Sequence, residues 1–399
     1  MFGLTAIECF FAIIAIFIFL YWITPQKFSW IPFLLTTILL AGLAFNIVPN
    51  DTDDLSRYFH TLEQLKDNDY DFFLDRIEED FMDWKTYRVC AYYFYFISKL
   101  SDVNYLQAIT IFLVYGLGFL VIYKASVRFN ICKLYLFIGT MFFLSTYWYY
   151  DTCSGIRNGL TFAIVTACAY YHLVERKNIT LCIIGYILAC FLHSSGIIMV
   201  ALVMLTVITL NNSGKFMNFL LIFGLSAGGS LLKFLSTKTD NSFIQSIAGK
   251  AETNGAEGQL YTQTLYIVNI SIFAVVAIIL FYVSIYIVHG EYSKDLKRFY
   301  KFSSIISYFL VGCLLSELVF MRITRWVLPV IGAVIYMVGM QIQKNQIDDK
   351  GISYLTYFTP TNQSLRIKMR PVVHIMFTAY TLVHLWYLIN GSSLCWIHF

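Results

Sequence analysis

Residues 31–48 read IPFLLTTILLAGLAFNIV, a run of eighteen positions without a charged side chain. A helix needs about 20 apolar residues to cross the hydrocarbon core of a bilayer, which is roughly 30 Å thick. Similar runs recur along the chain, and hydrophobic residues make up 58% of its 399 positions. Charged residues account for only 13%, against about 25% in a soluble domain. The sequence therefore predicts an all-α polytopic membrane protein and excludes a soluble globular domain.

The apolar runs predict about twelve membrane-spanning helices in one transmembrane domain, residues 1–399. The predicted spans are 3–23, 31–48, 105–123, 133–150, 155–173, 179–193, 197–210, 216–235, 264–288, 302–320, 326–342 and 371–390. The aromatic stretch 86–100 is marginal in length for a full crossing, so we expect a re-entrant or interfacial helix there. It belongs to a large external loop, 49–104. We also expect a second external loop at 236–263 and a cytoplasmic loop at 343–370.

The distribution of basic residues predicts the orientation. With the N-terminus outside, the loops predicted to be cytoplasmic carry 16 basic and 5 acidic residues. The rest of the chain carries 12 basic and 19 acidic residues. Basic residues are enriched in cytoplasmic loops of membrane proteins. This arrangement places the polar stretch NDTDDLSRYF, residues 50–59, on the outer face.

That polar stretch is the first candidate for chemistry. If a helix begins with Asp53 as its N-cap, then Asp54, Arg57 and Tyr58 lie on one helical face, at i, i+3 and i+4. A carboxylate beside a cation is suited to act as a general base toward a hydroxyl group. The alternative is a solvated acidic loop with a capping aspartate.

Three arginines lie near the ends of apolar segments. Arg157 lies at the start of the helix that follows DTCSG. The helix dipole and the free amides at such an N-terminus favour binding of an anion. The alternative is that the Arg157 side chain extends toward the lipid head groups. Arg322 and Arg325 are i, i+3 neighbours in SELVFMRITRWVLP, and planar guanidinium groups suit bidentate phosphate recognition. Glu317 either pairs with one of them in a structural salt bridge or acts as a base.

Other polar residues at the same predicted face complete the set. His193 precedes SSG and is either a base or a packing residue bonded to the backbone. Tyr58 and Asp151 are candidates for glycan contacts, and YWYY at 147–150 is interpreted as an interfacial aromatic belt. Several arginines with few carboxylates inside a bundle favour a polyanion attached to a hydrophobic tail, such as a lipid pyrophosphate. We expect no cofactor, no metal and no nucleic acid partner.

Four stretches occur in a fixed order along the chain. They are AGLAFNIVPNDTDDLSRYF (41–59), SGIRNGLTFAI (154–164), LHSSGIIM (192–199) and FMRITRWVLP (320–329). With the single large first external loop, they resemble the EpsG-type Wzy polysaccharide polymerases of bacterial envelopes. Asp54 and Tyr58 keep the family's spacing. The family typically has an arginine at the position of Ala44 and a glutamine at that of Asn158, which leaves Arg57 as the candidate for the missing phosphate contact.

The resemblance implies a metal-independent glycosyltransferase, similar to integral-membrane GT-C-like enzymes, that makes O-antigen, capsule or exopolysaccharide. Such enzymes transfer a growing glycan from undecaprenyl pyrophosphate to a lipid-linked oligosaccharide repeat unit at the outer face of the bacterial cytoplasmic membrane. Besides this substrate and membrane lipids, a chain-length regulator and a flippase are implied partners. We expect Asp54 or Asp53 to be the base, with His193 and Glu317 as further candidates. The expected pyrophosphate-binding residues are Arg157, Arg322, Arg325 and Arg57.

Other functions stay open at this point. A flippase or transporter of lipid-linked sugars would use the same arginines, but typically shows internal repeats and a site near the middle of the membrane. A glycosyltransferase that uses a prenyl-phosphate monosaccharide would share most of the site and add single sugars. A membrane acyltransferase would use His193 with an acid.

Overall fold

The computed structural model describes residues 5–49, 53–210, 221, 263–289, 294–315, 317–349 and 362–391. Every regular element in these ranges is helical, which confirms the predicted all-α class. Apart from residue 221, the predicted span 216–235 lies outside the described residues. So do nearly all of the predicted loop 236–263, the central part of the loop 343–370 and the side chain of Glu317.

Sixteen helices of six or more residues follow one another in the described residues. The first eight are α1 (Ala6–Ile23), α2 (Trp30–Phe45), α3 (Asp54–Asp67), α4 (Tyr70–Glu78), α5 (Arg88–Ser98), α6 (Tyr105–Arg128), α7 (Lys133–Thr146) and α8 (Tyr149–Ser154). The second eight are α9 (Ile156–Tyr170), α10 (Ile179–Leu192), α11 (Ser194–Thr209), α12 (Gln263–His289), α13 (Lys294–Gly312), α14 (Glu317–Trp326), α15 (Leu328–Asp349) and α16 (Asn362–Gly391). A π-helical turn, Tyr171–Glu175, follows α9.

Several of these helices are suited to cross a bilayer. Five candidate spans are long and apolar enough, and they lie at Ala6–Ile23, Gln26–Phe45, Tyr105–Arg128, Thr264–Ser284 and Pro371–Leu388. The bent pair α14–α15 makes a sixth if it counts as one span, and α7, α10 and α11 are shorter apolar helices. The described residues thus support a membrane protein but do not confirm the predicted count of twelve spans.

The centre of the bundle is formed by α6, α7, α9 and α15. Helix α15 packs against α6, α7 and α12, and α9 packs against α6, α10 and α11. Every residue from Ile323 to Gln341 is buried, as is typical of a helix that is apolar on all sides. Close contact depends on small residues: a Cβ at Gly332 would lie 2.8 Å from Phe142 Cε1 and 2.8 Å from Val276 Cγ2.

A 47° bend separates α14 from α15. Pro329 explains it, because a proline has no amide hydrogen and its ring clashes with the carbonyl four residues earlier, that of Arg325. The helical path therefore changes direction between Trp326 and Leu328. The bend lies beside the residues that were predicted to bind phosphate.

Three helices form a cap on one end of the bundle, and none of them is long and apolar enough to span a membrane. We call α3, α4 and α5 the helical cap. Helix α5 covers the predicted interfacial stretch; its 11 residues extend only about 16 Å at 1.5 Å per residue. Its buried face packs against α3, α6 and α10. The cap thus rests on the bundle and does not cross the hydrocarbon core.

Gly332→Ala is expected to destabilise the protein, because the added methyl group has no room between Phe142 and Val276. Overpacking of a tight core costs about 1–3 kcal/mol, so the thermal unfolding midpoint in detergent should fall by several degrees. Gly42→Ala is the matched control, since nothing lies within 4 Å of a Cβ there. Equal midpoints for the two variants would contradict the tight packing of α15.

Candidate active site

An open cleft of about 400 Å³ lies between α3 and the first turn of α9. The short turn Phe81–Asp83, between α4 and α5, forms another side. The lining residues are Asp54, Arg57, Tyr58, His60, Thr61, Phe81, Met82 and Arg157. Two distant stretches of the chain, each with predicted site residues, therefore meet at one cleft.

Helix α3 supplies the acidic side of the cleft. Asp54 and Arg57 lie three residues apart, so they share a helix face, and the Arg57 guanidinium donates a hydrogen bond to the Asp54 carboxylate. Their side chains are 47% and 73% exposed, and an ion pair so open to water adds little stability. Tyr58 is instead buried, with its ring edge-to-face with Phe94 at 5.0 Å. The carboxylate of Asp54 is therefore accessible from the cleft, beside a cation.

Arg157 supplies the opposite side. It is the second residue of α9, its Nη1 donates a hydrogen bond to the Met82 carbonyl at 3.3 Å, and its guanidinium lies 5.9 Å from the Tyr58 ring. Nearby, burial raises the pKa of the Cys90 thiol to about 12, while the positive charge of Arg157 acts in the opposite direction. A partly buried cation at the first turn of a helix, next to a cleft, is suited to bind an anion.

The turn that holds Arg157 has an unusual backbone. Asp80, Met82 and Asp83 all have positive φ, at 56°, 52° and 61°, and a residue other than glycine pays about 1–3 kcal/mol for such a conformation. Hydrogen bonds stabilise the turn: the amide of Lys85 donates to the Asp80 carboxylate at 2.9 Å, and that of Tyr87 to the Asp83 carbonyl at 2.9 Å. The strained turn presents the Met82 carbonyl to Arg157.

A second polar cluster lies at the bend between α14 and α15. The Arg325 guanidinium donates a hydrogen bond to the Asp151 carboxylate, and their side chains are 8% and 21% exposed. The guanidinium also lies over the Trp148 ring, 4.3 Å from its centroid, a cation–π contact. Tyr387 of α16 is within electrostatic range of both charges. Arg325 is thus a buried, paired cation and does not line the cleft.

The short helix α8 connects the two clusters. The hydroxyl of Tyr150 donates to the carboxylate of Asp53, which holds the N-cap position of α3 without capping it. The next residue, Asp151, pairs with Arg325. At the end of α8, Gly155 is required by close packing, because a Cβ there would lie 2.6 Å from the Asp151 carbonyl oxygen and 3.0 Å from the Trp326 ring.

His193 lies at the break between α10 and α11, where the sequence indicated an interruption. Its Nδ1 accepts a hydrogen bond from the Ser195 amide at 3.1 Å and lies 2.9 Å from the Ser195 hydroxyl. That hydroxyl donates to Asn158 at 3.3 Å, and the imidazole stacks on Tyr87 with ring centroids 5.9 Å apart. In this structure His193 caps a helix, and it does not line the cleft.

The remaining predicted residues are placed as follows. Arg322 is partly buried, one turn before Arg325 on α14, and the side chain of Glu317 lies outside the described residues. Within the described part of the chain, no three His, Cys, Asp or Glu side chains are arranged to hold a metal ion.

The interpretation of YWYY as an interfacial belt is wrong. Residues 147–150 are all buried, at 8% exposure or less. Two of the tyrosines make specific hydrogen bonds: the hydroxyl of Tyr149 donates to the Leu40 carbonyl at 2.6 Å, and the Tyr147 carbonyl accepts from the hydroxyl of Tyr115 at 3.0 Å. These aromatic rings pack inside the bundle through apolar contacts, and the hydroxyls of Tyr149 and Tyr150 also make hydrogen bonds there.

The sequence interpretation missed several residues around the two clusters. They are His60, Thr61, Phe81 and Met82 at the cleft, and Trp148, Tyr150 and Tyr387 near the buried ion pair. His60 had a usable signal, since it lies three residues after Arg57 and shares its helix face. Met82 had none, because its backbone carbonyl and not its side chain makes the contact.

The helical bundle and its capped polar cleft define an all-α membrane protein with a candidate site at one end. The model of the EpsG family matches residues 29–361, and the chain belongs to this family. The match confirms the resemblance drawn from the four sequence stretches and supports a polysaccharide polymerase of the glycosyltransferase type. Comparison with curated proteins and with solved structures gave no match, so the likeness to GT-C-like enzymes stays a prediction.

Asp151→Asn is expected to destabilise the protein strongly, because it removes the carboxylate that compensates the buried charge of Arg325. Breaking a buried ion pair from one side costs about 3–5 kcal/mol, which should appear as a large drop in the thermal unfolding midpoint. The double variant Asp151→Asn/Arg325→Met should recover much of the loss. The control is Asp75→Asn, at an exposed position of α4. If Asp75→Asn lowers the unfolding midpoint as much as Asp151→Asn does, the ion pair contributes nothing to stability.

Proposed function

We propose that this chain polymerises glycan repeat units at the outer face of the bacterial cytoplasmic membrane. It transfers a growing glycan from undecaprenyl pyrophosphate to the non-reducing end of a lipid-linked oligosaccharide, without a metal. The observation that carries this proposal is the cleft in which Asp54, Arg57, Tyr58 and Arg157 meet, in a chain of the EpsG family. The product is an O-antigen, a capsule or an exopolysaccharide, and a flippase and a chain-length regulator act beside it.

In the proposed reaction, a hydroxyl oxygen of the acceptor sugar attacks the anomeric carbon of the donor glycan. The new glycosidic bond forms as the bond between that carbon and the pyrophosphate oxygen breaks, and the pyrophosphate leaves with the electron pair. A carboxylate takes the hydroxyl proton. Fixed cations stabilise the charge that develops on the leaving group, and they act most strongly where water is excluded.

Asp54 is the favoured base. Its carboxylate lines the cleft, while that of Asp53 accepts a hydrogen bond from Tyr150 and is not part of the lining. The Arg57 guanidinium donates a hydrogen bond to the Asp54 carboxylate and lies beside it as a compensating charge. His193 and Glu317 are the next candidates.

Arg157 is the favoured contact for the pyrophosphate. A guanidinium has five N–H donors in a planar fork, and the Met82 carbonyl uses one of them. Arg57, exposed on the facing helix, is suited to approach the same anion from the water side, which compensates for the missing family arginine at Ala44. Arg322 and Arg325 then contribute charge from the bend, while Tyr58 and Asp151 contact the glycan.

The position of the polar residues disfavours a flippase or transporter. Transporter sites typically lie near the middle of the membrane at broken helices, whereas the cleft has the non-spanning helix α3 of the cap as one of its sides. A glycosyltransferase that uses a prenyl-phosphate monosaccharide shares the geometry. It differs in product, because it adds single sugars and makes no ladder of repeats.

Asp54→Asn and Arg157→Gln are expected to abolish polymerisation. In a deletion strain of the native host, each variant should leave lipid-linked single repeat units but no ladder of longer chains on a polysaccharide gel. Losing the base alone should lower the rate by 10² to 10⁴.

The matched controls are Glu63→Gln, exposed on the same helix as Asp54, and Arg88→Gln, exposed at the start of α5. Both should keep the ladder at equal membrane levels by immunoblot. An intact ladder in Asp54→Asn and Arg157→Gln would show that the cleft takes no part in the reaction. Loss of even the single repeat unit would indicate a transferase or flippase that acts earlier.

A labelling experiment tests the outward orientation of the cleft. Glu63→Cys on the helical cap should react with a membrane-impermeant maleimide in intact cells or spheroplasts. Lys177→Cys, exposed at the other end of α9, should react only after permeabilisation. The opposite pattern would place the cleft in the cytoplasm and contradict the proposed use of the flipped lipid-linked substrate.

A further inference from the structure

A cationic surface lies at the end of the bundle opposite the cleft. Arg157 and Glu175 are 18 residues apart along α9 and its π-helical turn, a rise of about 27 Å in a helix. At that far end, α6 finishes with Arg128 and α13 begins with Lys294. Three separate segments therefore bring charged residues together far from the candidate active site.

The centre of this surface is a carboxylate shared by two arginines. The Arg128 Nη2 lies 2.5 Å from Asp295 Oδ2, and the Arg298 Nη1 lies 3.2 Å from Asp295 Oδ1. The Arg128 side chain is 44% exposed, and that of Arg298 is 22% exposed. Glu175 is within electrostatic range of Arg128 and accepts a hydrogen bond from Tyr170 at 3.3 Å. Each guanidinium thus keeps donors that one carboxylate cannot use.

Further cations surround this centre. They are Arg176 and Lys177 after the π-helical turn, and Lys294, Lys297 and Lys301 on α13. Lys294, Arg298 and Lys301 are spaced by four and three residues, which puts them on one helix face. Cations in the first turns of a helix oppose its dipole, so this group is not explained by the stability of α13. The basic residues of this surface outnumber its described carboxylates, which are Glu175 and Asp295.

The position of Arg128 suits contact with lipid head groups. It is the last residue of α6, a candidate span of 24 residues, and a helix of that length reaches both boundaries of a hydrocarbon core about 30 Å thick. The preceding residue, Val127, is 62% exposed and offers an apolar contact just inside the cations. A ligand that fits has a phosphate at the boundary and an acyl chain beside α6.

We propose that this cationic surface binds the headgroup of an anionic phospholipid. Arg128 and Arg298 hold the phosphate oxygens, since guanidinium groups match their geometry, and Lys294 and Lys297 add attraction at longer range. Basic pockets between spanning helices recognise anionic lipid head groups in this way. The proposal does not depend on the function of the cleft.

The test compares lipid binding by the full-length protein and its variants. Purified protein is titrated with phosphatidylglycerol or phosphatidylcholine in neutral detergent, and retained lipid is measured by native mass spectrometry together with the thermal unfolding midpoint. The wild type should retain phosphatidylglycerol preferentially and be stabilised by it. Arg128→Gln/Arg298→Gln should weaken this preference by roughly thirtyfold, for two charges near the surface. Lys27→Gln, an exposed cation in the loop between α1 and α2, should change it little.

Asp295→Asn separates a lipid site from a purely structural ion pair. Removing the competing carboxylate should lower stability in phosphatidylcholine and yet strengthen retention of phosphatidylglycerol several-fold, because both guanidiniums become available. Loss of stability without any dependence on lipid charge would overturn the proposal, as would equal retention by the double arginine variant. Glycerol phosphate is the soluble probe; if it stabilises the protein as well as the lipid does, the ligand is a free phosphate and not a membrane lipid.

Discussion

The architecture depends on the compensation of one buried cation. The Arg325 side chain is only 8% exposed, and a guanidinium removed from water is costly unless a carboxylate lies against it. Asp151 provides that carboxylate from the six-residue helix α8, while the preceding residue, Tyr150, bonds Asp53 at the start of α3. The ion pair therefore joins the bend of α14–α15 to α8, and through α8 to the helical cap.

The two ends of the bundle have different chemistry. One end combines carboxylates, arginines and buried aromatic rings around a cleft, and the other carries mainly exposed cations. Helices α6 and α9 run from one end to the other, and glycines allow α15 to pack closely against its neighbours at the centre. Under the proposed function, the charged donor headgroup and the acceptor sugar meet the protein at the cleft end only, while the apolar exterior of the bundle remains available to the lipid tails.

The fold class followed from composition, because no soluble core could bury so many apolar residues. The face shared by Asp54 and Arg57 followed from helical periodicity, and the limited length of 86–100 indicated a short helix, which the structure has at Arg88–Ser98. The contact between Arg157 and the Met82 carbonyl could not be predicted, since it joins residues 75 positions apart through a backbone atom in a strained turn. The burial of YWYY was missed because an aromatic run has the same composition at a membrane interface and inside a bundle.

The docking of the cap on later helices has a consequence for biogenesis. Helix α5 ends at Ser98 but packs against α10, which ends at Leu192. At about 5–20 residues per second, translation of the intervening chain takes roughly 5–20 s, and α10 must also enter the membrane. During that interval the amphipathic helices of the cap have no partner on the bundle for part of their apolar faces. The cap therefore reaches its full packing only after the chain has been made through Leu192, about half of its 399 residues, and until then its exposed apolar faces are suited to bind chaperones on that side of the membrane.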